Sequence, residues 1–236
     1  MRTPRSCGAT TIRDAKEVCD KAQLEDFTNS ANPKWCSEPG NCFDEILLDG
    51  LEQRLHDLPS KTKDVFLVLH LKGSHGPAYF KRYPKAFEKF LPTCQSNEFS
   101  ACDETSIRNA YDNTIVYTDH VLAQLISLLK GQEHRFTTAM LYVSDHGESL
   151  GENGLFLHGM PYAFAPKEQT RIPMLAWLSP QFTSHEHWSV SCVHQQNAVS
   201  RSHDNVYHTI LGLLDIETNV YQPELDIFKP CDTAHD

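Results

Sequence analysis

Two short apolar segments of the sequence each run directly into a polar loop that contains glycine and histidine. Residues 65–71 precede a loop with His75, and residues 138–143 precede the run SDHGE that begins at Ser144. Continuous apolar runs of this length, bounded by charge and glycine, are typical of strands buried on both faces of a parallel sheet. Because such sheets bind ligands beyond the carboxyl ends of their strands, these two loops form the predicted site.

Further apolar repeats predict helices around these strands. Apolar residues recur at helical spacing in residues 44–58, 104–130 and 204–214, and residues 172–178 are a third predicted strand. Buried strands that alternate with helices predict an α/β sandwich, with a mainly parallel central sheet flanked by helices. A chain of 236 residues is long enough to form one large domain of this kind.

The cysteine pattern indicates disulfide bonds. Cys36 with Cys42 and Cys94 with Cys102 would close short loops, and no pair has the two-residue spacing of a zinc ribbon. An even number of paired cysteines predicts an oxidising compartment, whereas unpaired thiols in a cytosolic enzyme are the alternative. Four cysteines have no assigned partner, although two of them share the C-terminal region and are a further candidate pair: Cys7, Cys19, Cys192 and Cys231.

Charge and hydropathy exclude some classes of protein. The net charge of −10 argues against nucleic-acid binding, but a bound metal would still permit an anionic substrate. No apolar run reaches the roughly 18 residues of a membrane span. The first residues are basic but lack an apolar segment, so they are not a signal peptide. Since a protein with disulfides must be exported, we expect the chain to be incomplete at its N-terminus.

The two loops carry side chains that suit a divalent metal. Asp145, His146, His158 and His75 each lie in a turn that contains glycine, which allows close backbone approach. A carboxylate oxygen combined with imidazole nitrogens is a ligand set that zinc prefers. The sequence therefore predicts a zinc site formed by these loops.

Neighbouring residues leave alternatives open. Glu148 and Glu152 could be metal ligands, hydrogen-bond acceptors for the ligands, or solvated loop carboxylates. Packing is the favoured role for the aromatic residues that follow His75, rather than a platform for substrate. These residues are Tyr79, Phe80, Tyr83 and Phe87.

Longer motifs around these residues resemble a known family. The segment SDHGESLGENG from Ser144, and LHGMPYA from Leu157, are similar to the lipid A phosphoethanolamine transferases, which include the mobile colistin resistance enzymes. GSHGPAY from Gly73 and AYDNT from Ala110 resemble the same family. The resemblance extends from about Cys19 to Leu214, and it implies an alkaline-phosphatase/sulfatase-like fold.

The resemblance implies roles for the residues of the two loops. Asp145 and His146 match zinc ligands of the family, and Glu148 matches an acidic residue near the metal. His75 and His158 match histidines that hold phosphoethanolamine or a second zinc.

Near the N-terminus the resemblance is partial. Lys16 is similar to a lysine on the substrate side of the family's site. The turn SCGATT from Ser6 is similar to the family's nucleophile turn, which makes Thr11 the expected nucleophile. We expect residues 1–18 to be an atypical tail and residues 19–236 to be a partial sulfatase-like catalytic domain. This domain would lack the first strand and the acidic zinc ligand that the strand supplies. We therefore expect weakened metal affinity and little or no transferase activity from this chain alone.

The implied reaction moves phosphoethanolamine from a phospholipid donor to lipid A or a related glycolipid, through a zinc-activated threonine. The implied location is the periplasmic face of a bacterial inner membrane, reached through an N-terminal membrane domain, and the expected state is monomeric. One alternative is a metal-dependent hydrolase, either a sulfatase or a phosphodiesterase, although the C-x-P-x-R motif of sulfatases is absent. Another alternative is a non-catalytic, zinc-binding remnant.

Overall fold

The computed structural model of the chain describes residues 24–233, which fall into two compact units. The larger unit consists of residues 24–128 and 141–176, and the smaller unit of residues 129–140 and 177–233. The candidate residues Thr11 and Lys16 lie outside the described residues, as do Cys7 and Cys19.

Six helices and six strands, with short 3-10 helices between them, form the described chain. The helices are α1 (Leu51–His56), α2 (Glu104–Gly131), α3 (Lys167–Thr170), α4 (Pro180–His185), α5 (Val190–Gln195) and α6 (His203–Leu213). The strands are β1 (Cys36–Glu38), β2 (Asn41–Cys42), β3 (Ala139–Val143), β4 (Ser149–Leu150), β5 (Phe156–Leu157) and β6 (Met174–Leu178). Short 3-10 helices cover Asp44–Leu48, Tyr79–Lys81, Lys85–Phe87, Phe99–Ala101, Glu152–Gly154, Gln196–Ala198, Pro223–Leu225 and Lys229–Cys231.

The long helix α2 confirms the prediction for residues 104–130. Its first turn is capped by Asp103, whose carboxylate accepts a hydrogen bond from Ser106 N at 2.9 Å. The buried residues Ile107, Ala110 and Val121 recur at helical spacing and give the helix one apolar face. Full burial of an aliphatic side chain contributes about 1.5–3 kcal/mol. This face therefore anchors the larger unit, in which the candidate site lies.

One buried cluster joins the two predicted site loops. Tyr79 follows the His75 loop and Leu150 follows the Glu148 loop, and both pack with Ile107 of α2 in the same apolar cluster. Burial of these flanking residues holds the two polar loops near each other, since each loop is only a few residues from its apolar anchor.

The strands pair in twos. β1 with β2 and β4 with β5 are antiparallel. β3 pairs with β6. Ser144 N, after the end of β3, bonds to Pro173 O, before the start of β6. Ser179 N, after the end of β6, bonds to Thr138 O, before the start of β3. This pair is therefore also antiparallel.

Two predicted elements differ in the structure. Within residues 65–71 the structure has an isolated bridge at His70 rather than a strand, and these residues are mostly half-buried. The helix expected over residues 44–58 is divided by Gly50, whose φ of 68° is left-handed. Glycine adopts this conformation without steric cost, so it separates the 3-10 helix from α1.

The expected disulfides Cys36–Cys42 and Cys94–Cys102 are both present in the larger unit. Cys192–Cys231 joins α5 to the chain after α6 in the smaller unit. There, α6 begins with a capping box formed by Ser202 and Asn205. Among residues 24–233, no helix has the length and apolar character needed to cross a membrane.

Candidate active site and metal centre

Three histidine rings and one carboxylate converge in the larger unit, and we call His75, His146, His158 and Glu148 the histidine cluster. The ring centroids of His146 and His158 are 3.8 Å apart. The ring of His75 is 5.2 Å from that of His158 and 6.4 Å from that of His146. His75 is exposed and the other two rings are half-buried, so the cluster is open to solvent on one side.

Hydrogen bonds at the Nδ1 atoms determine which ring nitrogens carry protons. Nδ1 of His75 lies 2.8 Å from Gly76 O, and Nδ1 of His146 lies 3.1 Å from Gly147 O. A carbonyl oxygen can only accept, so each Nδ1 donates and each Nε2 keeps its lone pair. His158 Nδ1 lies 3.0 Å from the Glu148 carboxylate, which fixes the same tautomer. All three histidines can thus offer Nε2 to a metal or a proton.

Glu148 is the buried acidic residue of the cluster, with its side chain 3 % exposed. Besides His158, it accepts hydrogen bonds from Gly76 N at 3.4 Å and from the Tyr79 hydroxyl at 3.3 Å. Burial, reinforced by the negative charge of Glu148, raises the pKa of Tyr79 well above its usual value. Tyr79 therefore stays a neutral donor, and the carboxylate is held by groups from both loops.

The loop that follows β3 is fixed by close backbone contact. Gly147 N donates to Gln169 O at 2.9 Å. A Cβ atom at Gly147 would lie 2.0 Å from Glu168 O, so only glycine fits at this position. The Ser144 hydroxyl also donates to His146 O at 2.8 Å, which closes the turn around the histidine.

The loop that carries His75 is held by the side chains of Asp44, Thr114 and Arg82. The buried Asp44 carboxylate accepts from Lys72 N and Gly73 N, both at 2.8 Å. The Thr114 hydroxyl lies 2.6 Å from Ser74 Oγ. Arg82 Nε donates to His75 O at 2.8 Å. Contacts on both sides of His75 thus hold its backbone in place.

The structure separates the two acidic residues that the sequence placed at the metal. Asp145 is 80 % exposed, and its Oδ2 lies 3.7 Å from His146 Nε2. By contrast, His146, Glu148 and His158 each offer a ligand atom within 4.8 Å of the others. Glu152 bonds to Leu150 N at 2.7 Å and pairs with Arg108 at 3.3 Å, so it supports the loop.

Asp44 and Gln169 support the two loops, and the sequence patterns did not predict this role. Asp44 supports the His75 loop, and Gln169 contacts the chain beside Gly147 and beside His158. Neither lies in a loop that follows a predicted strand, and their contacts are distant in sequence. The predicted packing role of Tyr79 and Tyr83 is confirmed by their burial, although Tyr79 also donates to Glu148.

The donor set fits a divalent metal. Imidazole nitrogens from His146 and His158, together with a carboxylate, are the ligands typical of zinc. Asp145 is close enough to His146 to contribute a further oxygen to an ion bound there. Hydrogen bonds at Nδ1 leave the outer nitrogens available, as in ordinary metal sites.

Comparisons with known proteins identify the family of this chain. Residues 5–216 match the sulfatase family. The phosphoethanolamine transferase EptA of Escherichia coli K12 is 44% identical over 217 residues, which are 92% of this chain and 39% of the relative. The phosphatidylethanolamine transferase Mcr-1 of Escherichia coli is 42% identical over 208 residues, 86% of this chain and 37% of the relative.

A solved structure shows the same fold. The soluble domain of lipooligosaccharide phosphoethanolamine transferase A from Neisseria meningitidis superimposes with a TM-score of 0.90 and 39% identity, covering 98% of this chain and 68% of that one. The α/β, alkaline-phosphatase/sulfatase-like fold predicted from the sequence is thus confirmed. The chain spans about two fifths of the length of the curated relatives it matches. The match of residues 5–216 and the shared fold place this chain in the sulfatase family.

Proposed function

We propose that this chain is the catalytic part of a phosphoethanolamine transferase, which moves phosphoethanolamine from a phospholipid to lipid A or a related glycolipid. The observation that carries the proposal is the convergence of His75, His146 and His158 around Glu148, within motifs shared with transferases. The proposed setting is the periplasmic face of a bacterial inner membrane, where both lipids would be reached. The three disulfides of residues 24–233 suit that oxidising compartment.

Zinc is the proposed cofactor. Asp145 and His146 would hold it, with Glu148 or His158 as a further ligand. Bound zinc supplies positive charge, which lowers the pKa of a hydroxyl beside it and stabilises negative phosphoryl oxygens. The cluster could hold a second ion, since His75 and Asp145 lie beside the three donors His146, Glu148 and His158.

The proposed transfer has two steps, and Thr11 is the proposed nucleophile. Its oxygen attacks the donor phosphorus, the bond from phosphorus to the glycerol oxygen breaks, and that oxygen leaves as diacylglycerol with the threonine proton. A phosphate oxygen of the acceptor then attacks the same phosphorus, and the threonine oxygen leaves and regains a proton. His75 would orient the phosphoryl group through Nε2, and His158 would do so where Glu148 is the further zinc ligand. Lys16 would contact the substrate.

A hydrolase is the second candidate, because the family match is to the sulfatases. A phosphodiesterase would use the same histidine cluster but transfer the phosphoryl group to water. The absence of the C-x-P-x-R motif weighs against a sulfatase. A zinc-binding remnant without activity is the third candidate, and it retains the cluster while the reaction is lost.

Intact mass spectrometry separates these candidates. The zinc-loaded chain is incubated with phosphatidylethanolamine in detergent micelles, and the adduct is located by peptide mapping. A transferase forms a phosphoethanolamine adduct on Thr11 and releases diacylglycerol, and Thr11→Val and His146→Ala both abolish the adduct. His120→Ala is the matched control, because His120 bonds to Glu45 rather than to Glu148. This variant retains the adduct.

The other results each point to another activity. Turnover of phosphatidylethanolamine without an adduct would indicate a phosphodiesterase, and turnover of an aryl sulfate would indicate a sulfatase. Stoichiometric zinc with neither activity would indicate the remnant. Addition of lipid A to the adduct tests the second step, which predicts loss of the adduct and a matching gain in lipid mass.

A further inference from the structure

We infer that Gln169 is a positioning residue, whose buried side-chain amide holds His158 beside His146 and Glu148. Its purpose rests on the proposed function, but its contacts are independent of it. The two segments that it joins are the metal loop, residues 145–149, and the His158 turn, residues 157–160.

The side chain of Gln169 uses both its donors and its acceptor on these two segments. Nε2 donates to Ser149 Oγ at 3.0 Å and to Leu157 O at 2.9 Å. Oε1 accepts from Met160 N at 3.4 Å. Gln169 is 6% exposed, so these bonds are formed away from water. One amide therefore bonds to the chain immediately before His158 and again two residues after it.

The backbone of Gln169 contacts the other segment. Its carbonyl oxygen accepts from Gly147 N at 2.9 Å, between the candidate ligands His146 and Glu148. The side-chain contact with Ser149 lies just beyond Glu148. Gln169 thus bonds on both sides of Glu148 as well as on both sides of His158.

The His158 turn needs such support because its backbone is strained. Leu157 has a φ of 63°, in the left-handed region that side chains other than glycine rarely adopt. Its pairing with Ser149 holds the strand up to this residue but not the chain beyond it. The Gln169 amide donates a hydrogen bond to Leu157 O and accepts one from Met160 N. These two bonds hold the chain before and after His158.

The chemistry of the amide distinguishes positioning from packing. A glutamate at position 169 has the same size and shape but cannot donate to Ser149 or Leu157 when ionised. If Gln169 only fills space, Gln169→Glu should be tolerated at the site. If it positions His158, the substitution should separate the rings of His146 and His158, which lie 3.8 Å apart.

The test compares Gln169→Glu with Asn113→Asp, a matched change at another buried amide of the larger unit. Asn113 is buried and bonds to the backbone of Lys89 and Phe90, so its loss affects a different loop. Zinc affinity is measured by competition with a chromophoric chelator. The contact between the two histidine rings is measured in metal-free protein by nuclear Overhauser effects.

For Gln169→Glu we expect zinc affinity to fall about 10–100-fold and the ring contact to be lost. Asn113→Asp should lower the melting temperature but keep the native zinc affinity and the native ring contact. Native zinc affinity together with a native ring contact in Gln169→Glu would overturn the inference. Neither readout uses phosphoethanolamine, so a failure of the proposed transfer reaction leaves this result unaffected.

A second variant covers the case in which Gln169→Glu does not fold. Ser149→Ala removes one of the three side-chain contacts of Gln169 and leaves the others. We expect a smaller, several-fold loss of zinc affinity with a weakened ring contact. If Ser149→Ala folds with native zinc affinity and an unchanged ring contact, the positioning role is rejected.

Discussion

The larger unit contains two clusters in which a glutamate carboxylate meets a histidine ring and a tyrosine hydroxyl. One is the histidine cluster around Glu148. The other, which we call the Glu45 cluster, consists of Glu45, Tyr117 and His120. In the second cluster the Tyr117 hydroxyl donates to Glu45 at 3.1 Å, and His120 Nε2 lies 3.2 Å from the same carboxylate.

The two clusters differ in which histidine nitrogen is occupied. In the Glu45 cluster the carboxylate bonds to Nε2 of its single histidine, and the ring packs against Phe87 at a centroid distance of 4.7 Å. In the histidine cluster the carboxylate and two glycine carbonyls bond to Nδ1 atoms and leave each Nε2 available. Similar residue types thus form a packed support in one place and a candidate metal site in the other.

Burial also differs between the two carboxylates, whereas it is similar for their histidines. The side chain of Glu148 is 3 % exposed and that of Glu45 is 19 % exposed. His158 and His120 are 30 % and 31 % exposed. The exposure of a histidine therefore does not distinguish the two clusters, but the presence of three neighbouring histidine rings in one of them does.

The largest difference between the two clusters should be in zinc affinity, after one histidine is removed from each. His146→Ala removes a proposed ligand from a small set, so zinc affinity should fall by at least about 100-fold. His120→Ala should leave it unchanged. Competitive zinc titration of both variants measures this, and equal affinities would remove the functional distinction between the clusters.

Neutralisation of the two carboxylates should give a smaller difference. Glu148→Gln weakens three hydrogen bonds to a buried charge and should lower the free energy of unfolding by about 2–3 kcal/mol. Glu45→Gln, at a more exposed carboxylate, should cost about 1 kcal/mol. Urea denaturation of metal-free protein checks both values, and a greater loss for Glu45→Gln would contradict the burial argument.

The histidine cluster, unlike the Glu45 cluster, should depend on a glycine. Gly147→Ala places a Cβ atom against Glu168 O and should cost about 1–2 kcal/mol of unfolding free energy, with a loss of zinc affinity. Gly131→Ala is the control, since nothing lies within 4 Å of a Cβ atom there. We expect Gly131→Ala to be neutral or slightly stabilising, measured by urea denaturation.

The tyrosines that bond to Glu148 and Glu45 should have similar effects on the pH dependence of stability, and these are the smallest effects that we expect. Burial raises the pKa of both Tyr79 and Tyr117 above the ordinary value of about 10. A group whose folded pKa is raised adds stability that is fully present below the unfolded pKa and is lost as pH rises toward the folded pKa. Unfolding free energy should therefore decline above about pH 10.

Tyrosine substitutions test this decline directly. Tyr79→Phe and Tyr117→Phe should each make it shallower, while costing about 0.5–1.5 kcal/mol at neutral pH through the lost hydroxyl hydrogen bond. Urea denaturation across the alkaline range gives both values. An unchanged slope in the variants would show that the hydroxyls are not responsible for it.

Local patterns in the sequence were sufficient for several elements. The periodicity of residues 104–130 predicted α2, and the apolar runs predicted β3 and β6, because these signals lie within a few residues. The run at residues 65–71 is similarly apolar, but the structure assigns it an isolated bridge at His70 rather than a strand. Apolar composition alone therefore does not determine whether a run forms a strand.

The candidate site was also visible in the sequence, since three of its residues are histidines followed directly by glycine. In two of these pairs the glycine carbonyl accepts the Nδ1 proton, which is a contact between adjacent residues. The opposite environments of Asp145 and Glu148 were not predictable, because they depend on which side chains pack above the loop.

By itself the sequence determined which residues are available for metal and phosphoryl chemistry and the family to which their motifs belong. Only the tertiary structure decided which nitrogens are free, which carboxylate is buried, and that Gln169 bonds beside both Glu148 and His158. The physical reason is the distance along the chain. Tyr79 and Gly76 bond to Glu148 across 69 and 72 positions, and contacts this remote leave no periodicity in the sequence.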